Sequence, residues 1–249
     1  MVVKSFSNTK IKYLRKQKNN KFLLFLDTPK LIEEAVLSGL NPKEILIDEK
    51  KFDTFKKRFP FVCKLHEENI LLTTEEIISS LADVQTPQGI LGVFEIKQRN
   101  LCKPQGNFLI LDNVQDAGNV GTLLRSALGA NFRDVYLLDC AKISNIKTIR
   151  SSMGAAFRLN IFETTRQDFI KFFKTVDENI IVCDMDGENF FKTSFSERVG
   201  LVLGNEGNGV SSEMKSFCNK SVAIPMKNNL ESLNVAVAGS IIMFEISNR

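Results

Sequence analysis

Three segments of the 249-residue chain carry polar side chains at spacings that suit chemistry. In Leu111-Asp112-Asn113-Val114-Gln115-Asp116-Ala117-Gly118-Asn119-Val120-Gly121-Thr122-Leu123-Leu124-Arg125, Asn119 stands near a helix start. Arg125 follows nearly two turns later on a similar side of that helix. Leu123, Leu124 and Leu128 make the helix substantially buried, so the guanidinium is expected to have a partner. In Gly204-Asn205-Glu206-Gly207-Asn208-Gly209-Val210-Ser211, three glycines after a strand let backbone approach a ligand closely, and Glu206 is the only charge among them. In Ile224-Pro225-Met226-Lys227-Asn228-Asn229-Leu230-Glu231-Ser232-Leu233-Asn234, Ser232 is a candidate helix cap, and the apolar surroundings of Asn234 predict a buried amide in need of partners.

Other chemistries are excluded by what the chain lacks. His66 is the only histidine, and no nucleophile-elbow sequence accompanies it, so any enzyme here works without conventional histidine catalysis, and a multi-histidine metal site is impossible. Cys63, Cys102, Cys140, Cys183 and Cys218 are odd in number and far apart, which suggests neither a disulfide framework nor a CxxC metal site. Cys140, Cys183 and Cys63 lie within or beside apolar runs and are expected to be buried, inert thiols. The glycine order GxxGxG, late in the chain, fails as a dinucleotide fingerprint, and there is no P-loop.

The three segments need a scaffold, and the hydrophobic pattern supplies one. Strands are predicted at 22–26, 44–48 and 90–96, with helices at 29–37 and 74–81, giving a compact α/β unit over residues 1–96. A polar stretch at 97–106, with Pro104 and Gly106 near its end, is expected to be a linker. Residues 107–249 then alternate strand and helix: strands at 108–111, 135–138, 180–183, 200–203 and 222–224, a helix at 119–128 and a closing helix at 232–246. That spacing points to parallel strands joined by helices, where ligands gather beyond the carboxyl ends of the strands.

Charge is unevenly placed. Lys+Arg number 33 against 29 Asp+Glu, a net +4, yet residues 1–22 carry seven cations and no acid, so the rest of the chain is net −3. Lys12, Arg15 and Lys16 are neighbours on one helical face, while Ile11 and Leu14 can face a core. This arm can pack and still present charge to a nucleic acid, or it can be a solvated helix face or a mobile arm. No secretory h-region follows Met1 and no apolar run reaches the roughly 18 residues of a membrane span, so a cytoplasmic protein without membrane partners is expected.

Taken together, the three segments resemble the signature motifs of the SpoU-type (TrmH-like) RNA 2'-O-ribose methyltransferases, a branch of the knotted SPOUT class. Asn119 to Arg125 looks like motif 1, Gly204 to Val210 like motif 2, and Ile224-Pro225-Met226 with Ser232 to Val235 like motif 3. Arg150-Ser151-Ser152-Met153-Gly154-Ala155-Ala156-Phe157 is similar to the small-residue segment between motifs 1 and 2, and the N-terminal half is similar to the family's ribosomal-protein-like RNA-binding domain. Two positions depart from the pattern. Asn228 stands where motif 3 usually has Gly, and Asp27-Thr28 where the N-terminal domain commonly has Glu-Gly.

The resemblance implies a C-terminal α/β knot, a deep trefoil, which is a rare exception to unknotted folding. It implies methyl transfer from S-adenosylmethionine to a ribose 2'-hydroxyl of structured RNA, ribosomal (23S-like) or transfer, with S-adenosylhomocysteine as product, no metal, and a homodimer whose catalytic domains pack near the active sites. Gly204, Ile224, Met226 and Leu233 would line the cofactor site. Arg125 would be the catalytic arginine, holding a phosphate and stabilising the developing alkoxide, with Asn119, Glu206, Ser232 and Asn234 orienting it and the ribose. Two other classes stand beside this reading: a non-catalytic RNA-binding or ribosome-assembly protein that keeps the fold, and an NAD- or nucleotide-binding α/β enzyme.

Overall fold

A computed structural model describes every residue except Met1, Gln85, Asp177, Ser196 and Asn229. The chain divides into two compact units, Met1–Lys97 and Gln98–Arg249. The first contains β1 (Val2–Val3), α1 (Thr9–Gln17), β2 (Leu23–Leu26), α2 (Pro29–Leu37), β3 (Pro42–Asp48), α3 (Phe52–Arg58), β4 (Ile70–Thr73), α4 (Glu75–Leu81) and β5 (Ile90–Glu95). Its sheet runs β1-β4-β3-β5-β2, with β1 and β3 parallel to β4 and with β5 antiparallel to both β3 and β2. The helices and strands predicted from periodicity are present. Periodicity did not reveal β1, β4 or α3, because the two strands are only 2 and 4 residues long and α3 is a two-turn helix with one buried residue.

Helix α1 sorts its side chains as its sequence dictates: Ile11 and Leu14 are buried, and Lys12, Arg15 and Lys16 are exposed. Ile11 and Leu14 join Leu23, Phe25, Leu46, Leu91 and Val93 of the sheet and Ile77, Ile78 and Leu81 of α4 in one core. The basic arm is partly neutralised at home. Lys4 pairs with Glu49 at 2.7 Å, Lys10 with Glu44 at 2.6 Å and Lys18 with Asp83 at 3.0 Å. The Asp27-Thr28 departure is structural: Asp27 is buried and accepts from the Asp83 amide at 3.3 Å, while Thr28 caps α2. Cys63 corrects the sequence reading, since it is exposed.

The second unit contains β6 (Phe108–Asp112), α5 (Ala117–Gly129), β7 (Asp134–Leu138), α6 (Ile146–Ser152), β8 (Asn160–Thr164), α7 (Arg166–Phe173), β9 (Ile180–Asn189), β10 (Gly200–Gly204), α8 (Ser212–Phe217), β11 (Lys220–Ala223) and α9 (Val235–Ser247). Its six strands lie in the order β11-β9-β10-β6-β7-β8, all parallel. A strongly aromatic core holds one face: Tyr136 packs against Phe108, Phe162, Phe169 and Phe173 at centroid distances of 4.9–5.9 Å. The stretch read as a linker is docked rather than loose, since Tyr136 Oη donates to the Cys102 carbonyl at 2.7 Å and the Gln105 amide donates to Asp134 at 3.0 Å. No described helix is long and apolar enough to cross a membrane.

Candidate active site at the carboxyl ends of β6 and β10

Strand β10 pairs with β6 in register, Gly204 beside Asp112, so the segments that follow the two strands leave the sheet side by side. The first turns at Asp116, whose side chain caps α5 by accepting from the Asn119 amide at 2.9 Å. Lys147 Nζ is 2.7 Å from the other Asp116 oxygen, and this lysine bond, helped by the amides of α5, holds the Asp116 carboxyl below its ordinary value. The helix thus starts two residues before the position predicted from the sequence; Asp116, three residues before Asn119, was the available cap signal.

The second segment folds back on itself. Asn205 and Gly209 exchange both backbone hydrogen bonds at 2.9 Å, and Asn205 Oδ1 accepts from the amides of Gly207 and Asn208. A Cβ on Gly204 would lie 2.3 Å from backbone atoms of Gly209 and Val210, so the loop closes only over glycine. Asn205 Nδ2 also donates to the Asn113 carbonyl at 2.9 Å, and buried Asp112 accepts from the Ser211 amide at 2.9 Å and from Arg166 Nε at 2.8 Å. Asp112, Asn205 and Arg166 therefore fix the two segments against each other. Sequence reading had not singled out these roles, because they depend on strand pairing.

Three of the five residues assigned to catalysis meet directly. Glu206 Oε1 accepts from Asn119 Nδ2 at 3.0 Å and from the Asp116 amide at 3.4 Å, and Asn119 Oδ1 accepts from Asn234 Nδ2 at 3.1 Å. Burial pulls the Glu206 carboxyl upward, but the bonds from Asn119 and from backbone amides outweigh it and leave the group below its ordinary value. Glu206 is thus an ionised anchor at neutral pH. Asn234 is itself the N-cap of α9, its Oδ1 accepting from the amides of Ala236 and Val237. Both ends of this amide are in use, one on the helix and one on Asn119.

Three expectations are corrected here. Ser232 is not the cap: it is exposed, two residues before Asn234, and α9 begins at Val235. Asn234 is not buried, although it has its partners. Arg125 is exposed and has no hydrogen bond or ion pair among the described residues, because it shares the outer face of α5 with Thr122 and Gly129 while Leu123 and Leu124 point inward. Six residues also turn the helix by about 240°, so Arg125 points away from Asn119 rather than along it.

Of the positions assigned to the cofactor, Gly204 and Leu233 are sequence neighbours of Asn205 and Asn234 in the loops that carry the junction. Gly204 ends β10, Ile224 and Met226 are half-buried just past β11, and Leu233 is half-buried beside Asn234. Asn228 adopts φ +57°, the left-handed conformation that Gly takes readily and Asn tolerates better than most residues. On the first segment's other side, Gly121 admits α6: a Cβ there would be 2.4 Å from the Thr148 carbonyl. The small-residue segment continues from α6 through Met153 and Gly154, both at positive φ, into a short 3-10 turn. Burial raises the thiols of Cys140 and Cys218 to about 12 and of Cys183 to about 11, so none of the three supplies a nucleophile. No group of three or more His, Cys, Asp or Glu among the described residues is arranged to hold a metal.

An all-parallel α/β sheet with loop-borne side chains collected beyond its strand ends defines a ligand-binding α/β domain. The chain belongs to the SpoU rRNA Methylase family, which it matches over residues 106–244. It is 28% identical to the 23S rRNA (guanosine(2553)-2'-O)-methyltransferase of Bacillus subtilis over 98% of both chains. A solved TrmH-family structure from Porphyromonas gingivalis is 27% identical and superposes with a TM-score of 0.84 over 97% of this chain and 98% of that one. The AdoMet-bound rRNA methyltransferase structure from Sinorhizobium meliloti, 23% identical, shares the fold with a TM-score of 0.83 over 100% and 97%.

Proposed function

We infer that this chain is an S-adenosylmethionine-dependent RNA 2'-O-ribose methyltransferase acting on large-subunit ribosomal RNA, with the Glu206–Asn119–Asn234 junction and Arg125 as its catalytic apparatus. The observation that carries the reading is the junction itself, in which one side chain from each of the three motif segments joins an unbroken hydrogen-bonded chain. Family membership supports the reaction class. The relative from Bacillus subtilis, matched end to end, supports ribosomal over transfer RNA.

The lining residues fit the cofactor. Ile224, Met226 and Leu233 offer half-buried apolar surface to a purine ring, and the backbone at these positions and at Gly204 offers donors and acceptors. When bound, S-adenosylmethionine supplies a methyl group already activated by its sulfonium. The chain's own residues must then place the ribose oxygen and tolerate its charge. Arg125, always protonated and without an acid partner among the described residues, holds the adjoining phosphate and lowers the cost of negative charge on the 2'-oxygen. Asn119 and Asn234, locked by Glu206 and by α9, keep the wall facing the ribose rigid. Ser232, exposed beside Leu233, keeps a free hydroxyl to orient the ribose.

The same proposal includes a trefoil knot in the second unit, supported by β10 lying between β9 and β6, with the loops after β10 and β11 both meeting the segment after β6. It includes an RNA-binding first unit of ribosomal-protein-like fold, a cytoplasmic location and a homodimer. The dimer is supported by Val237, Ile241 and Phe244, which leave an exposed apolar stripe on α9. Incubation with S-adenosylmethionine and either ribosomal or transfer RNA, followed by location of the transferred methyl group, tests the activity.

A further inference from the structure

The first unit holds a cavity that the methyl-transfer reading does not use. It has a volume of about 260 Å³ and lies where α1 crosses the sheet, with Leu14, Leu23 and Val93 as apolar walls and Lys10, Tyr13, Lys43 and Glu44 as polar ones. Such a volume lies just below the roughly 300–1,000 Å³ of drug-sized pockets and suits a single planar ring system. Glu44 is its unusual member. The residue is only 4% exposed, and one carboxylate oxygen, Oε2, meets Lys10 Nζ at 2.6 Å. The other, Oε1, is buried and has no hydrogen-bond partner among the described residues. A buried carboxylate oxygen left without a donor is costly, and natural structures rarely keep one without a purpose. Burial accordingly pulls the Glu44 carboxyl upward, opposed by the bond and charge of Lys10.

We propose that this cavity is a base-reading site, which takes an unstacked guanine of the RNA with its N1–H and N2–H donors on the Glu44 carboxylate. The inference rests on the reading of the first unit as RNA-binding. Guanine is selected by chemistry, because an ionised carboxylate only accepts, and guanine presents two adjacent donors on its Watson–Crick edge where adenine and cytosine present a mixed edge. Tyr13, half-exposed at the mouth, offers a face for stacking. Lys43, itself part of the cavity wall and half-exposed, offers a cation to a flanking phosphate.

The test uses the full chain and short single-stranded RNA oligomers that differ only in a central G, inosine or A, with binding followed by fluorescence anisotropy. The G oligomer should bind about tenfold tighter than the A oligomer, with inosine, which lacks the N2 donor, in between. Glu44→Gln should bring the G/A ratio close to one. Tyr13→Ala, at a site too exposed to unfold the unit, should weaken G and A oligomers alike by roughly tenfold. Salt-dependent binding with no preference for G, or a preference that survives Glu44→Gln in a protein of unchanged thermal stability, would overturn the guanine site while leaving the RNA-binding reading intact. No binding of any oligomer or of ribosomal RNA would overturn both.

Discussion

At the residue scale the site separates anchored groups from a free one. Asn119, Glu206 and Asn234 spend their hydrogen bonds on one another and on helix caps, so their contribution is a rigid surface. Among the described residues Arg125 has no hydrogen-bond or ion-pair partner, and the proposal makes it the group that meets an incoming polyanion. Arg125→Ala should lower methyl transfer by roughly 10²–10³-fold, the cost of losing one preorganised donor to a developing oxyanion. Calorimetric affinity for S-adenosylmethionine should stay within about twofold, and turnover close to wild type would remove Arg125 from the mechanism. The residue types and their order were legible in the sequence. Which groups touch was not legible. The bond from Asn119 to Glu206 spans 87 residues of chain and depends on β6 and β10 pairing in register, which no local pattern encodes.

At the element scale α9 carries the most unmet potential. Its sequence, Val235-Ala-Val-Ala-Gly-Ser-Ile-Ile-Met-Phe-Glu-Ile-Ser247, is apolar almost all round, and such a helix is stable only when most of its circumference is covered. One side is covered within the chain: Ala236, Gly239, Ile242, Met243 and Ile246 are buried, and Ser240 bonds to Ser126 of α5 at 2.7 Å. The other side, with Val237, Ile241 and Phe244 spaced by four and three residues, is left open. Phe244 lies against Gly129 on the face of α5 that carries Arg125, so a second copy docked there would pack beside the active site. Sedimentation velocity should show a dimer for the wild type and a folded monomer for Ile241→Glu; a wild-type monomer at assay concentration would contradict the dimer. The apolar run that forms α9 was visible in the sequence. Its start was misplaced by three residues because Ser232 and Asn234 are both competent caps, and only the Asn234 bonds to Ala236 and Val237 decide between them.

At the scale of the whole molecule, the net charge of +4 gains meaning from its placement. Lys4, Lys10 and Lys18 are consumed by acids within the first unit, whereas Lys12, Arg15 and Lys16 remain exposed on α1. Replacing those three with Ala should weaken RNA binding and reduce the log–log salt slope by roughly 2–3, with S-adenosylmethionine affinity unchanged. An unchanged slope would make the arm a solvated helix face. The two-unit organisation could be read from the change of pattern near residue 100, but the docking of 101–105 onto the second unit could not, because it rests on Tyr136 and Asp134 some 30 residues away. The most direct test of the central claim is where the methyl group goes. Ribosomal RNA lacking the modification, incubated with the chain and S-adenosylmethionine, should acquire one methyl at a discrete nucleotide, and alkaline hydrolysis should leave an uncleaved dinucleotide there, since a blocked 2'-oxygen cannot attack its phosphate. A methyl group found on a base, or no transfer to ribosomal RNA at all, would contradict the account.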